Sequence, residues 1–173
     1  MEKPGKSPGK SRSFWLNFII PVTVLLVVIG DILTKNWIRT FPPDGAIIHR
    51  VWFFRIIHIT NTGSAFGSFQ GYAVVFTIIA ILGLFLLSGL GFYVYKKYPR
   101  FVTIPNRIAL GLIIAGDLGN LIDRLRFSGH VTDFIDPGFF AVFNVADSAI
   151  TIGVILVLLS VLRETIRENK QDL

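Results

Sequence analysis

The stretch that decides the fold is Tyr72-Ala-Val-Val-Phe-Thr-Ile-Ile-Ala-Ile-Leu-Gly-Leu-Phe-Leu-Leu-Ser-Gly-Leu-Gly-Phe-Tyr-Val-Tyr95, 24 residues without one charge. Crossing a bilayer as a helix takes about 20 mostly apolar residues. Lys96 and Lys97 follow at once, as expected where a span leaves the hydrocarbon. The rest of the 173 residues agrees: 52% are hydrophobic and only 16% charged. Soluble domains carry about 25% charge, so this chain cannot cover itself with a water-facing surface. It reads as an integral membrane protein.

Three more stretches suit a span. Phe14 to Leu33 has Asp31 as its sole charge, and Phe139 to Leu162 has only Asp147. Ile104 to Ile122 is diluted by Arg107, Gly111, Gly116, Asp117, Gly119 and Asn120. The fold expected is therefore an all-α membrane protein of four transmembrane helices with a little β structure. A basic start before an apolar run also suits a cleavable leader, but no small-x-small cleavage site follows Gly30, so the first span reads as a retained helix.

The net charge of +6 resembles a nucleic-acid signature until its placement is considered. The segments before the first span, between the second and third, and after the fourth hold 11 basic and 4 acidic residues; the remainder holds 6 and 7. In a four-span chain those segments share one side, and the positive-inside rule makes it the cytoplasm. The basicity sets orientation, with both termini cytoplasmic, and no nucleic-acid partner is expected. Residues 1–13 and 163–173 read as cytoplasmic tails, the first disordered, around a four-span unit over 14–162.

Two outer segments remain, 36–71 and 125–138. Phe41-Pro-Pro-Asp-Gly45 is a turn cluster. Arg50 to Thr60 is rich in Ile, Val, Phe and Trp and reads as strand, as does Val131 to Ile135. A small sheet or hairpin at the outer membrane surface is expected. The chain shows no internal repeat.

The seven acidic residues between positions 31 and 147 are all aspartates. Asp44 and Asp136 lie beside prolines or glycines and read as turn residues. Asp31, Asp117, Asp123, Asp133 and Asp147 fall near the outer ends of the spans, accompanied by Asn61, Asn120 and Asn144. Ionisable groups at membrane depth are costly and mark candidate functional sites. Helical spacing aligns Asn144 with Asp147, Asn120 with Asp123 and Arg124, and Asp31 with Lys35. For Asp31 and Asp123 a gluing role is available, with Lys35 and Arg124 as partners. Asp133 and Asp147 have no cation at helical spacing. The turn at Pro137-Gly138 allows them to meet. Two carboxylates sharing a site do not both ionise, so one serves as acid and the other as base on a water.

Other chemistry fits less well. There is no cysteine to act as nucleophile or metal ligand. His49, His58 and His130 lack metal-binding spacing, and no metal or cofactor is expected. Lys35, the lone non-cytoplasmic lysine, has Asp31 as a competing partner to any serine. An ion-conducting relay of aspartates and a non-catalytic scaffold remain as other classes.

Five motifs in order resemble one family over roughly residues 14–162. They are Asp31-Ile-Leu-Thr-Lys35, Asn61-Thr-Gly-Ser-Ala-Phe-Gly67, Gly119-Asn-Leu-Ile-Asp-Arg124, Val131-Thr-Asp-Phe-Ile135 and Phe143-Asn-Val-Ala-Asp-Ser148. The chain resembles lipoprotein signal peptidase (signal peptidase II), the bacterial inner-membrane aspartic peptidases. The resemblance implies four transmembrane helices with a small periplasmic β-cradle, no cofactor, and diacylglyceryl-modified prolipoproteins as substrates among the membrane lipids. It implies Asp133 and Asp147 as the catalytic pair. Asn61, Gly63, Asn120, Arg124, Asn144 and Ala146 would line the site, and Asp31, Lys35 and Asp123 would brace it. A monomer is expected. Asp117 departs from the family, which often has a small residue there.

Overall fold

The computed structural model describes residues 16–61 and 73–170; the expected cytoplasmic tail over 1–13 and the expected site residue Gly63 lie outside them. Four helices carry the architecture: α1 (Ile19–Ile38), α2 (Ala73–Lys97), α3 (Ile104–Arg126) and α4 (Val145–Asn169). Three strands, β1 (Ile47–Val51), β2 (Phe54–Asn61) and β3 (Val131–Asp136), form one antiparallel sheet in the order β1-β2-β3.

Among the described residues, three helices are long and apolar enough to cross a membrane: α1, α2 from Val74, and α4. α3 is long enough but less apolar, and its position explains why. It packs on all three other helices, most extensively on α4 and then α1. Gly111, Ala115 and Gly119 follow one another at four-residue intervals and are buried. Small residues in that pattern let helix backbones approach closely where no hydrophobic force drives them together. A Cβ on Gly119 would stand 2.7 Å from Asp31 Oδ2 of α1, so this contact requires glycine.

The interior is polar and the exterior apolar. The largest fully buried side chains are Lys35, Ile38, Asn144 and Asp31, while Leu26, Leu33, Phe85 and Leu158 are exposed. In water that arrangement would be unstable; in lipid the exposed side chains lose nothing, and polar groups must partner one another inside.

The helix ends differ from the sequence expectation: α3 runs on to Arg126, past Ile122, and α4 to Asn169, past Leu162 and into the segment expected as a cytoplasmic tail. α1 continues to Ile38, past the expected end at Leu33. α4 begins at Val145 rather than Phe139, because Asn144 caps it: its side chain accepts from Asp147 N, and the Asp147 side chain accepts from Asn144 N. This reciprocal capping satisfies two helix N-terminal amides. Residues 139–144 instead run back along the sheet, with Phe143 bridged to Ile135.

The expected single strand over Arg50–Thr60 is two, folded at Trp52-Phe53 with Trp52 at φ 57°. The third strand lies where expected, and Arg55 on β2 pairs with Asp136 on β3 at 2.5 Å. Asp136 also accepts from Gly138 N at 2.8 Å and Asp44 from Ala46 N at 2.9 Å, so both aspartates take the turn role expected of them. Asp136 adds the ion pair.

Candidate active site

The sheet, the end of α3 and the start of α4 converge on Asp133 and Asp147. Asp133 stands on β3, 3% exposed. Its Oδ2 accepts from Asn61 Nδ2 at 2.8 Å and its Oδ1 from Asn144 Nδ2 at 2.7 Å. Asp147 lies in the first turn of α4. Its Oδ1 accepts from Asn120 Nδ2 at 2.8 Å and its Oδ2 from Asn144 N at 3.1 Å. One residue, Asn144, thus holds both carboxylates: its side chain donates to Asp133, and its backbone donates to Asp147. The Pro137-Gly138 turn makes this possible, with Gly138 at φ +81°, a conformation that suits glycine.

Asp133 lies outside the spans, and its pKa is pushed up to about 7. Burial is the largest cause, and the negative charge of Asp147 adds to it; the amides of Asn61 and Asn144 and the charge of Lys35 pull the other way. A carboxyl that titrates near neutrality beside a second carboxylate can give and take a proton at physiological pH.

Behind the pair lies a chain of buried contacts. Asn120 Oδ1 accepts from Asn144 Nδ2 at 3.1 Å and from Lys35 Nζ at 3.0 Å. Lys35 Nζ also pairs with Asp31 Oδ2 at 2.7 Å and Asp123 Oδ2 at 3.4 Å. Asp31 Oδ1 accepts from Ala146 N at 2.9 Å, tying α1 to the first turn of α4. Lys35 thereby orients Asn120: its ammonium occupies the amide oxygen, so the amide nitrogen is left to face Asp147.

Asp31, Lys35, Asn61, Asn120, Asp123, Asp133, Asn144, Ala146 and Asp147 are all brought together at one end of the bundle. One expectation needs correction. Arg124 is not the ion-pair partner of Asp123. Asp123 pairs with Arg39 at 2.6 Å and with Lys35. Arg124 forms no ion pair within 4.0 Å among the described residues, although Asp147, Asp117, Asp133 and Asp123 all lie near enough to act on its charge. The physical reason is length: α1 extends far enough to present Arg39 one turn beyond Lys35, and Asp123 turns inward to it.

Arg39 is the residue that sequence reasoning missed. Its Nε donates to Thr132 Oγ1 at 2.9 Å, and its guanidinium stacks 4.1 Å from the Phe127 ring centroid. Thr132 N donates to Asp123 Oδ2 at 3.1 Å, so Arg39 and Asp123 fix the strand residue just before Asp133. The available signal was the four-residue step Asp31, Lys35, Arg39. Asp117 faces α2 at Gly83, where an added Cβ would lie 3.4 Å from its Oδ2.

Comparison with known proteins decides the family. The model of signal peptidase II matches residues 23–163. This chain belongs to the signal peptidase II family. A lipoprotein signal peptidase of Dehalococcoides mccartyi is 46% identical over 132 residues, covering 76% of this chain and 81% of that protein. A Staphylococcus aureus lipoprotein signal peptidase is 36% identical over 168 residues, covering 93% and 96%. A bacterial membrane enzyme solved at 2.3 Å by the in meso method superimposes with a TM-score of 0.72 at 36% identity, over 83% of this chain and 87% of that one. All five motifs fall within the matched residues. The chain is a protease of membrane character whose family removes signal peptides from prolipoproteins.

Proposed function

We propose that the chain is an aspartic endopeptidase of the bacterial inner membrane that cuts prolipoproteins just before a diacylglyceryl-modified cysteine. The observation that carries this is the bridging of Asp133 and Asp147 by Asn144, with the Asp133 pKa raised to about 7. The pair shares one proton. The ionised carboxylate takes a proton from water as that water attacks the scissile carbonyl, and the protonated one supplies the developing oxyanion. The same proton traffic then delivers hydrogen to the leaving amine. The roles belong to the pair, and neither is assigned to one carboxylate alone. Asn61, Asn144 and Asn120 hold the carboxylates in place, and Arg124 keeps positive charge near Asp147.

All four helices span the membrane in this reading, α3 included, since the other three shield its polar residues from lipid. In the same reading both termini lie in the cytoplasm and the aspartate pair near the periplasmic surface, which the basic residues at the far helix ends support. The exposed aromatics Trp52, Phe53, Phe54, Phe139 and Phe140 gather at the sheet end, where an aromatic belt would meet the interface. A lipid-modified cysteine stays at that depth, and water reaches it from outside.

The test is cleavage of matched prolipoprotein substrates with and without the diacylglyceryl group. Only the modified one is expected to be cut, and Asp133→Asn and Asp147→Asn should each lower the rate by about 10²–10⁴ or more. The variants should still insert and melt cooperatively. A folded single variant that cleaves at the parent rate would overturn the assignment.

A further inference from the structure

At the opposite end of the bundle from the aspartate pair lies a cavity of about 670 Å³ between α2, α3 and α4. Its lining is almost entirely apolar, including Leu87, Phe92, Leu110, Ile114 and Val157. Volumes of this size hold small ligands.

Besides Ser88 and Ser160, two residues with unpartnered buried polar atoms break the apolar lining. Arg107 is 9% exposed, and its one described hydrogen bond runs from Nη1 to the Leu16 carbonyl at 2.8 Å. Its Nε has no partner, and among the described residues no carboxylate lies within 4.0 Å of it. Beside it, the Asn106 side-chain oxygen is also buried without a partner. A buried cation without a counter-charge is strongly unfavourable. Lys35, the other buried cation among the described residues, has Asp31 and Asp123 as partners.

The rim of the cavity repeats the same sign. Lys96 lies 5.7 Å from the Phe92 ring, Lys97 5.9 Å from Tyr98, Arg100 5.3 Å from Phe101 and Arg107 5.6 Å from Tyr95. All four rings line the cavity. Among the described residues, Arg100 alone of these four has an acidic neighbour, Glu168 at 2.7 Å.

An apolar slot between membrane helices, closed at one end by an unpaired guanidinium and ringed by three further cations, calls for a ligand with an acyl tail and an anionic head. We propose that the cavity is a binding site for an anionic phospholipid. One acyl chain fills the slot, and the phosphate sits on Arg107, whose planar fork suits a phosphate. Basic pockets between helices on the cytoplasmic side bind such headgroups. The site is remote from the aspartate pair, so its occupancy is read without reference to cleavage.

The experiment is native mass spectrometry of the full purified chain in detergent with equimolar phosphatidylglycerol and phosphatidylcholine. The wild type should retain phosphatidylglycerol by more than about fivefold over phosphatidylcholine. Arg107→Gln should cut that preference by about fivefold while still retaining lipid. Val157→Trp, which fills the slot but keeps the cations, should lower retention of both lipids. Equal retention by the wild type overturns the proposal and needs no variant. So does a preference that survives Arg107→Gln in a folded protein. Inorganic phosphate that displaces the lipid completely would reduce the site to an anion site and overturn the acyl slot. Displacement by a synthetic signal peptide, or by a peptide of residues 1–15, would give the cavity to that segment instead.

Discussion

α2 and α3 are nearly equal in length and opposite in character. From Ala73 to Tyr95, α2 carries no charge, and among its described side chains only Ala80 is buried. α3 carries Arg107, Asp117, Asp123, Arg124 and Arg126, and nine of its residues are buried. The helix that looks most like a core element is the one most exposed, and the helix that looks least like a span is at the centre. In a bilayer, apolar content reports contact with lipid, whereas polarity at depth reports contact with other helices. α3 can hold Asn120 and Asp123 because its neighbours bring Lys35, Arg39 and Asn144 to meet them.

The sharpest way to break this contrast is to remove the cation at its centre. Lys35→Met leaves Asp31 and Asp123 buried together and should cost about 3–5 kcal/mol, read as a lowered melting temperature in detergent. A variant with unchanged melting would show that the polar layer is not what holds α1 and α4 to α3.

Next is the proton on Asp133. Its pKa is about 7 in the folded chain against 3.8 for a free aspartate, so the native state holds a proton that the unfolded state releases in between. Stability should therefore fall as pH rises from about 4 to 7 and level off above that, by no more than about 4 kcal/mol. Asp133→Asn should abolish the slope and melt higher than the parent at pH 8. The cleavage rate of the parent should decline above about pH 7, as the shared proton is lost. A parent whose stability is flat over the whole interval would contradict this.

Asn120→Ala removes the link between Lys35 and Asp147. A stability loss of about 1–3 kcal/mol is expected, with a larger fractional loss in kcat than in KM, since Asn120 touches the carboxylate rather than the exterior. The smallest effect belongs to α2. Phe85→Ala, at 74% exposed, should move stability by no more than about 0.5 kcal/mol in detergent. A large loss there would mean that α2 packs on something besides lipid.

Much of the site was legible before any coordinates. The Asp31–Lys35 step on one helix face became an ion pair of 2.7 Å. The Asn144–Asp147 spacing became a reciprocal cap. The lack of a cation at helical spacing from Asp133 and Asp147 set them apart from Asp31 and Asp123. These were readable because helical spacing is local. Arg39 was not, because its partners Asp123 and Thr132 lie more than eighty positions away. The start of α4 was misjudged for a related reason: Phe139 and Phe140 are apolar enough for a span, yet Phe143 is held to the sheet at Ile135.

By itself, the sequence determined the apolar content of the membrane helices, the charge bias from which an orientation is proposed, and which aspartates have no cation at helical spacing. Those properties depend on composition, on charge at the helix ends and on spacing within a turn. Only the tertiary structure decided that Asn144 holds both aspartates, that Asp123 answers to α1, and that Asp133 titrates near neutrality. Burial and the approach of a second charge exist only once β3 and α4 have folded against α3.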